Sequence, residues 1–261
     1  MATSSTNRVY QLVIFGASGF TGQFVVEEVA RNTAEGPKGT LKWALAGRNR
    51  QKLQQVLDQA AENLGKPELK SEVDIIIADV GEPDSLASMS KQASIVLNCV
   101  GPFLEGMQLN YNSQAAKNGV YVIGSCGFDS IPADMGVLYT RDQFKGTLTA
   151  IESFLSVNTG PEMEGCSFSM TFFGQGYSQG QDPQQGKPNL KICTQVKGPE
   201  AGYVATPIVM VQAAITLLNE SKSLPKEGGV YTPGAAFCKT SLIERLNKHG
   251  VVFSVISKPE A

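Results

Sequence analysis

Apolar and polar positions follow two different rhythms along this chain, and the change falls near Ile131. Before it, short apolar runs alternate with segments of helical period. "VYQLVIFGA" is a β-branched and aromatic run; a glycine turn follows, then Phe24, Val25 and Val29 on one helical face. "LKWALAGR" is a second run. After it, "NRQKLQQVLDQAAENLG" aligns Leu53, Val56, Leu57 and Ala60, with Gly65 as a stop. "VDIIIADV" is almost continuously apolar, as in a parallel strand covered on both faces. "EPDSLASMSKQA" supplies a crossover, "SIVLNCVGPF" a fourth strand, "LNYNSQAAKNG" a helix and "VYVIGSCGF" a fifth strand. Strands alternating with helices predict right-handed βαβ units. The chain is therefore read as α/β, with a Rossmann-like doubly wound parallel sheet over residues 8–140.

Beyond Ile131 the period drops to two. "TAIESFLSVN" sets Ile151, Leu155 and Val157 on one side, and "SFSMTFF" sets Phe168, Met170 and Phe172 opposite Ser167, Ser169 and Thr171. "LKICTQVKG" alternates more weakly through Ile192 and Val196. Such strands have one wet face, so residues 141–205 are expected to form mixed or antiparallel strands of a second, truncated α+β domain. The polar "GQGYSQGQDPQQGKP" between them reads as a loop. In residues 206–261, "TPIVMVQAAITLLNES" predicts a buried helix capped by Thr206 with Pro207 in its first turn. "SLIERLNKHGVVFSVI" predicts a short amphipathic helix, a stop at Gly250 and a final strand packing back on the core.

Composition narrows the partners more than the fold. With 42% hydrophobic and 18% charged residues and a net charge of −2, the chain reads as globular, and nothing in it would recruit nucleic acid. No uninterrupted apolar run reaches the roughly 18 residues of a spanning helix. The start, "MATSSTNRVYQL", lacks the apolar centre of a secretory signal, so an intracellular, non-secreted protein is expected. The five cysteines show no paired spacing and His249 is the single histidine, so no metal site is expected. The cysteines read as small buried groups, and His249 as a surface residue near a helix end.

The glycine turn carries the candidate chemistry. In "GASGFTG", Gly16 permits the tight turn, Gly19 lets a phosphate approach the backbone and Gly22 lets helix and strand pack closely. Ser18, Phe20 and Thr21 complete this turn and helix start, whose unpaired amides and positive dipole end suit a diphosphate. At the end of the second strand stand Arg48 and Arg50 rather than an acid. A carboxylate there would hold a free ribose hydroxyl, whereas a guanidinium grips a 2′-phosphate, so NADP is the expected cofactor, with NAD as the alternative. Asp79 is placed beside the adenine, and Asn98, Gly101 and Pro102 are placed along the way to the nicotinamide; a turn-former and a strand terminator are the plainer readings of Asn98 and Pro102.

With "GASGFTG", "AGRN", "NCVGPF" and "GSCGFDSIPADMG" in this order, the chain resembles the saccharopine dehydrogenase-like oxidoreductase family. "GPEAGYVATPI" and "GGVYTPGAAF" extend the resemblance into the carboxyl-terminal part. It implies a Rossmann domain, a second α/β domain and NAD(P)-linked oxidoreductase activity. It also implies a link to lipid or glycolipid metabolism, with lipid droplets, mitochondria or membranes as locations and a peripheral membrane association. Family members carry a long segment between the strand ending near Thr159 and the one beginning near Cys166, joined here by "NTGPEMEGCSF". The shortening is expected to remove much of the second domain, to expose Phe168, Met170 and Phe172 or force them to repack, and to favour self-association. It also leaves turnover in doubt.

Hydride transfer needs a proton donor or acceptor beside the nicotinamide. None of the tyrosines has a lysine four residues later, so the short-chain dehydrogenase pair is absent. Ser125, Cys126, Asp129 and Ser130 follow the fifth strand and are the remaining candidates, with helix capping as the plainer reading of Asp129 and Ser130. Relatives acting on amino-acid adducts often have an acid where this chain has Gly124 and Ser125, which argues against a saccharopine-type substrate. Two readings result: an oxidoreductase for a small or lipid-like carbonyl, imine or enoyl group, or an NADP-binding scaffold or regulatory protein without turnover. A third is a Rossmann-like domain that binds other proteins through an exposed sheet.

Overall fold

The computed structural model describes residues 8–101, 105–181 and 186–258. The first apolar run forms β1 (Tyr10–Phe15), in which Leu12, Val13 and Ile14 are all fully buried because both faces are covered. Then follow α1 (Phe20–Arg31), β2 (Trp43–Gly47), α2 (Arg50–Leu64), the single turn α3 (Leu69–Glu72), β3 (Asp74–Ile77), α4 (Pro83–Gln92) and β4 (Ala93–Asn98). The four strands are parallel in the order β3-β2-β1-β4. On one face, Leu12, Ile14 and Leu45 pack against Val25, Val26 and Val29 of α1 and Leu53 and Leu57 of α2. On the other, Val13, Phe15, Ala44 and Ala46 meet Met89 of α4, as the two-residue period of a pleated strand requires. Asn49 caps α2 by accepting from the Lys52 amide at 3.0 Å, and Gly65 ends it in the left-handed conformation, φ 62°.

After β4 come α5 (Glu105–Gln108), α6 (Asn112–Asn118), β5 (Tyr121–Ile123), α7 (Ile131–Gln143), β6 (Gly146–Asn158), β7 (Ser167–Ser178) and β8 (Leu190–Pro199). The chain ends with α8 (Thr206–Asn219), β9 (Gly229–Tyr231), α9 (Pro233–Phe237), α10 (Leu242–Lys248) and β10 (Val252–Ser257). The fifth strand departs from the expected continuation of the parallel sheet. β5 pairs with β9 instead, in a separate two-stranded parallel ladder. Gly228 allows this approach, since a Cβ there would lie 2.6 Å from the Val120 nitrogen, and Asn112 accepts the Val230 amide at 2.9 Å.

The alternating strands form an antiparallel sheet in the order β10-β8-β7-β6. Of the two outcomes expected for Phe168, Met170 and Phe172, exposure is overturned: all three are covered. They are 2%, 6% and 0% exposed, in one core with Ile131 and Met135 of α7, Ile208 and Val209 of α8, and Phe253. α7 can lie this close because Gly136 faces Phe172, where a Cβ would sit 2.3 Å from the ring. The strand left bare is β6: Phe154, Leu155 and Val157 are 56%, 47% and 52% exposed. Part of the polar loop before β8 is residues 182–185, which lie outside the described residues.

One helix belongs to both cores. Val211, Ala214 and Ile215 of α8 pack into the parallel-sheet core, while Ile208, Val209 and Ala213 pack into the antiparallel-sheet core. With the π-helical turn Ala201–Ala205 before it, this segment is long and apolar enough to cross a membrane by length and composition, mean hydropathy 1.7. Here it is the packed centre of the fold. Thr206, expected to be its cap, instead sits one residue inside and donates to the Ala201 carbonyl at 3.0 Å. The capping group is Glu200, whose carboxylate accepts from Gly202, Tyr203 and Val204. His249 also departs from the expected surface position: only 18% of its side chain is exposed, and Nε2 lies 2.8 Å from Glu35 Oε1.

Candidate functional site

Gly16 leaves β1 with φ +83°, and a Cβ there would stand 2.6 Å from Val100 Cγ2. The position thus demands glycine both for its conformation and for the approach of the loop after β4. Gly16 and Ala17 donate to the Ala46 carbonyl at 2.9 and 3.3 Å, which pins the turn beside the end of β2. Gly22 faces the turn from inside α1, where a Cβ would be 2.2 Å from the Gly16 carbonyl oxygen. Gly19, exposed at the cap position, uses its own amide on the Gly16 carbonyl at 2.9 Å. α1 therefore opens with no side-chain cap, no acidic residue in its first turn, and the amides of Phe20, Thr21 and Gly22 at its positive end. The hydroxyls of Ser18 and Thr21 have no hydrogen-bond partner among the described residues. This cradle fits a diphosphate.

Arg48 follows β2 at the same edge of the sheet and is exposed, with no ion pair or hydrogen bond among the described residues. Its neighbour Arg50 begins α2 and is exposed as well. Asp79 forms a local turn instead of pointing free: its Oδ1 accepts from the Gly81 amide at 2.9 Å. Asn98 similarly accepts from the Val100 amide at 3.1 Å, so its side chain shapes the loop after β4. Gly101 is exposed at the end of that loop, and Pro102 lies outside the described residues.

The four residues after β5 differ sharply. Ser125 is exposed and sits in the left-handed region at φ 53°, an uncommon conformation for a residue with a side chain. Burial pushes the Cys126 thiol up from 9.0 to about 12, and its Sγ faces the Ile123 and Gly124 carbonyls at 3.5 and 3.7 Å. A thiol so enclosed stays protonated near neutrality and is a poor nucleophile. Asp129 is exposed; Ser130 holds the cap position of α7, with no hydrogen bond from its side chain to the helix. Among the described residues, no group of three or more His, Cys, Asp or Glu converges as a metal site.

Of the residues that join these two regions, Tyr203 was not singled out in the sequence and Thr206 was read only as a helix cap. Tyr203, in the turn before α8, packs its ring 4.9 Å from Phe20 and 5.3 Å from Phe24. Three residues later, Thr206 Oγ1 accepts the Phe128 amide at 3.1 Å. The segment Glu200–Thr206 thus touches the glycine turn with one residue and the "GFDS" turn with another. Asp134, in the first turn of α7, accepts the Gly234 amide at 2.7 Å and holds α9 against that turn. Contacts across more than 70 residues leave no local pattern.

Residues 12–123 match the family model described as the saccharopine dehydrogenase NADP binding domain. The Homo sapiens protein named saccharopine dehydrogenase-like oxidoreductase is 40% identical over 430 aligned residues, covering 100% of both chains. A Caenorhabditis elegans protein named lipid droplet localized protein is 26% identical, covering 95% of this chain and 99% of its own. A trans-acting enoyl reductase of Mycobacterium ulcerans is 31% identical over 173 residues, covering 55% of this chain and 39% of its own. The human alignment runs over 430 positions, so at least 169 of them (430 less 261) have no residue here. A dinucleotide-type glycine turn on a parallel sheet, the NADP-binding domain match and the full-length similarity agree: the chain belongs to the saccharopine dehydrogenase-like oxidoreductase family.

Proposed function

We propose that this chain binds NADP(H) across the carboxyl edge of the parallel sheet. The amides of Phe20, Thr21 and Gly22 and the hydroxyls of Ser18 and Thr21 hold the diphosphate, and Arg48 grips the 2′-phosphate. Asp79 stands on the adenine side, and the loop of Asn98 and Gly101 leads towards the nicotinamide. When bound, the cofactor supplies or accepts a hydride. The chain's own contribution is to position that ring near the turn after β5 and to exclude water with the Glu200–Thr206 segment. Ser125 and Asp129 are the exposed polar side chains there that could pass a proton. The observation that carries the reading is the uncapped, acid-free start of α1 beside a guanidinium with no partner among the described residues.

The substrate proposed is a lipid-like acyl compound with an enoyl or carbonyl group; the names of the mycobacterial and nematode relatives support that class. Location at a lipid surface is part of the same proposal. A second reading, cofactor binding without turnover, draws on the enclosed Cys126 thiol and the 169 or more aligned positions that have no residue here.

Fluorescence titration with NADPH and NADH tests the site. Charge-assisted hydrogen bonds are worth about 1.5–3 kcal/mol, so Arg48→Glu is expected to weaken NADPH binding roughly 10- to 150-fold and to leave NADH nearly unchanged. Equal loss for both coenzymes removes Arg48 from the site; no binding of either by the unaltered chain refutes the reading. Oxidation of bound NADPH on adding an enoyl thioester then separates enzyme from scaffold.

A further inference from the structure

The outermost strand of the antiparallel sheet has one paired edge and one bare one. β6 bonds to β7 alone and, among the described residues, no strand lies beyond it. Its register shifts between Leu148 and Ala150, after which Ala150–Asn158 runs regularly against Ser167–Gln175. That stretch contains no Lys, Arg or Pro, and Glu152 is its single charge. Natural sheets guard exposed edges with lysines, prolines, bulges or a covering element, because unpaired amides and carbonyls are a template for another chain. The opposite edge offers far less regular strand: β10 has six residues, its register shifts between Val255 and Ser257, and Lys258 follows it.

We propose that two copies of this chain form a dimer by antiparallel pairing of their β6 strands over Ala150–Asn158, about a two-fold axis through Phe154. Self-pairing follows from the contrast between the two edges. Joining β6 to the short β10 would repeat head to tail without closing, whereas β6 on β6 closes as a two-fold pair. The register is set by the charge and the regular stretch together. Phe154 is the midpoint of Ala150–Asn158, so centring there uses every regular residue. It sets Glu152 opposite Ser156 of the second copy, not opposite its own equivalent, and Ile151 opposite Val157 of the second copy. Like charges directly opposed would destabilise the pair, and an aliphatic pair on one face supports it.

The exposed side chains fit the same arrangement. Leu155 and Val157 share the core-side face with Met170 and Phe168 but stay 47% and 52% exposed, because no strand follows. On the outer face, Phe154 packs edge-on to Phe173 at 5.8 Å, and a second copy would bring another such pair against it. A lipid surface could take these side chains but could not satisfy the strand's backbone groups.

Sedimentation velocity of the full chain at micromolar concentration is expected to show a dimer. Phe154→Lys is expected to give a folded monomer, with a thermal midpoint lowered only by the loss of the partner copy and of the edge contact with Phe173. In a Cys238→Ser background, which removes an exposed thiol, Phe154→Cys is expected to cross-link into a covalent dimer under mild oxidation. Glu152→Cys should not, because the two equivalents would stand about four residues, roughly 13 Å, apart along the strands. A monomeric unaltered chain, a dimer indifferent to Phe154→Lys, or equal cross-linking at both positions would overturn the proposal. So would a monomer that floats with phosphatidylcholine vesicles and loses this on Phe154→Lys.

Discussion

Tyr203 stands edge-on to Phe20, ring centroids 4.9 Å apart at 79°, so a residue from the start of the central helix rests on the first residue of the glycine-turn helix. Phe20 is 69% exposed, and its backbone amide is one of those assigned to the diphosphate. The pair therefore holds the start of α1 against the segment that leads into α8. An edge-to-face contact contributes about 0.5–1.5 kcal/mol beyond area burial, so Tyr203→Leu is expected to weaken NADPH binding roughly two- to twelve-fold. Tyr203→Phe should restore it. Titration of the three proteins with matched thermal midpoints checks this; equal affinity in all three would dissociate Tyr203 from the site.

Gly22→Ala tests the close approach of helix and turn. The new Cβ would meet the Gly16 oxygen at 2.2 Å and the Ala17 Cα at 2.9 Å, backbone atoms that cannot swing aside. Overpacking of this kind costs about 1–3 kcal/mol, more than the ~1 kcal/mol an alanine gains in a helix. The expected net result is a lower thermal midpoint, by roughly 2–4 °C per kcal/mol in a protein of this class, with NADPH binding lost. A stabilised variant would show that the turn relaxes more freely than this packing allows.

Arg245 joins the two ends of the chain. Its Nη1 donates to Glu35 Oε2 at 2.7 Å and to Gln212 Oε1 at 3.1 Å. Glu35 is partly exposed, so its ion pair is screened and contributes little. Gln212 is fully buried, and its Nε2 has no partner among the described residues. Arg245→Ala would strand the other end of that amide as well, at a cost of about 1–3 kcal/mol. Urea unfolding at neutral pH is the measurement; an unchanged midpoint would place the stabilisation elsewhere.

Alkaline pH should loosen the fold through groups that burial keeps neutral. The Cys99 and Cys126 thiols are pushed from 9.0 to about 12, and the Tyr10 hydroxyl from 10.0 to about 12, by burial first and then by its bond to Asp74. Folded-state values above the unfolded ones mean that the folded chain holds more protons. Stability is therefore expected to be level below about pH 9 with respect to these thiols and to fall as pH rises towards 12. Denaturant midpoints across that window, together with slow alkylation of Cys126 relative to the exposed Cys238, check it.

The sequence was most legible where neighbours in the chain are neighbours in space. The glycine turn, the helix stops at Gly65 and Gly250 and the alternation of Phe168, Met170 and Phe172 each follow from a few adjacent residues. The partner of β5 did not, because a three-residue strand carries too little pattern to name its ladder, and the glycines admitting β9 lie more than 100 residues away. Thr206 was misjudged as a cap for a related reason. Its hydroxyl answers Phe128 and Ala201, while the helix start is served by Glu200.

By itself, then, the order of residues determined the parallel sheet, the glycine turn and the family, since all three rest on short-range spacing. Tertiary structure decided that α8 serves two cores, that Tyr203 rests on the glycine turn, and that Phe168, Met170 and Phe172 are covered while β6 is bare. Burial and edge exposure depend on what arrives from distant parts of the chain, and no local period encodes that.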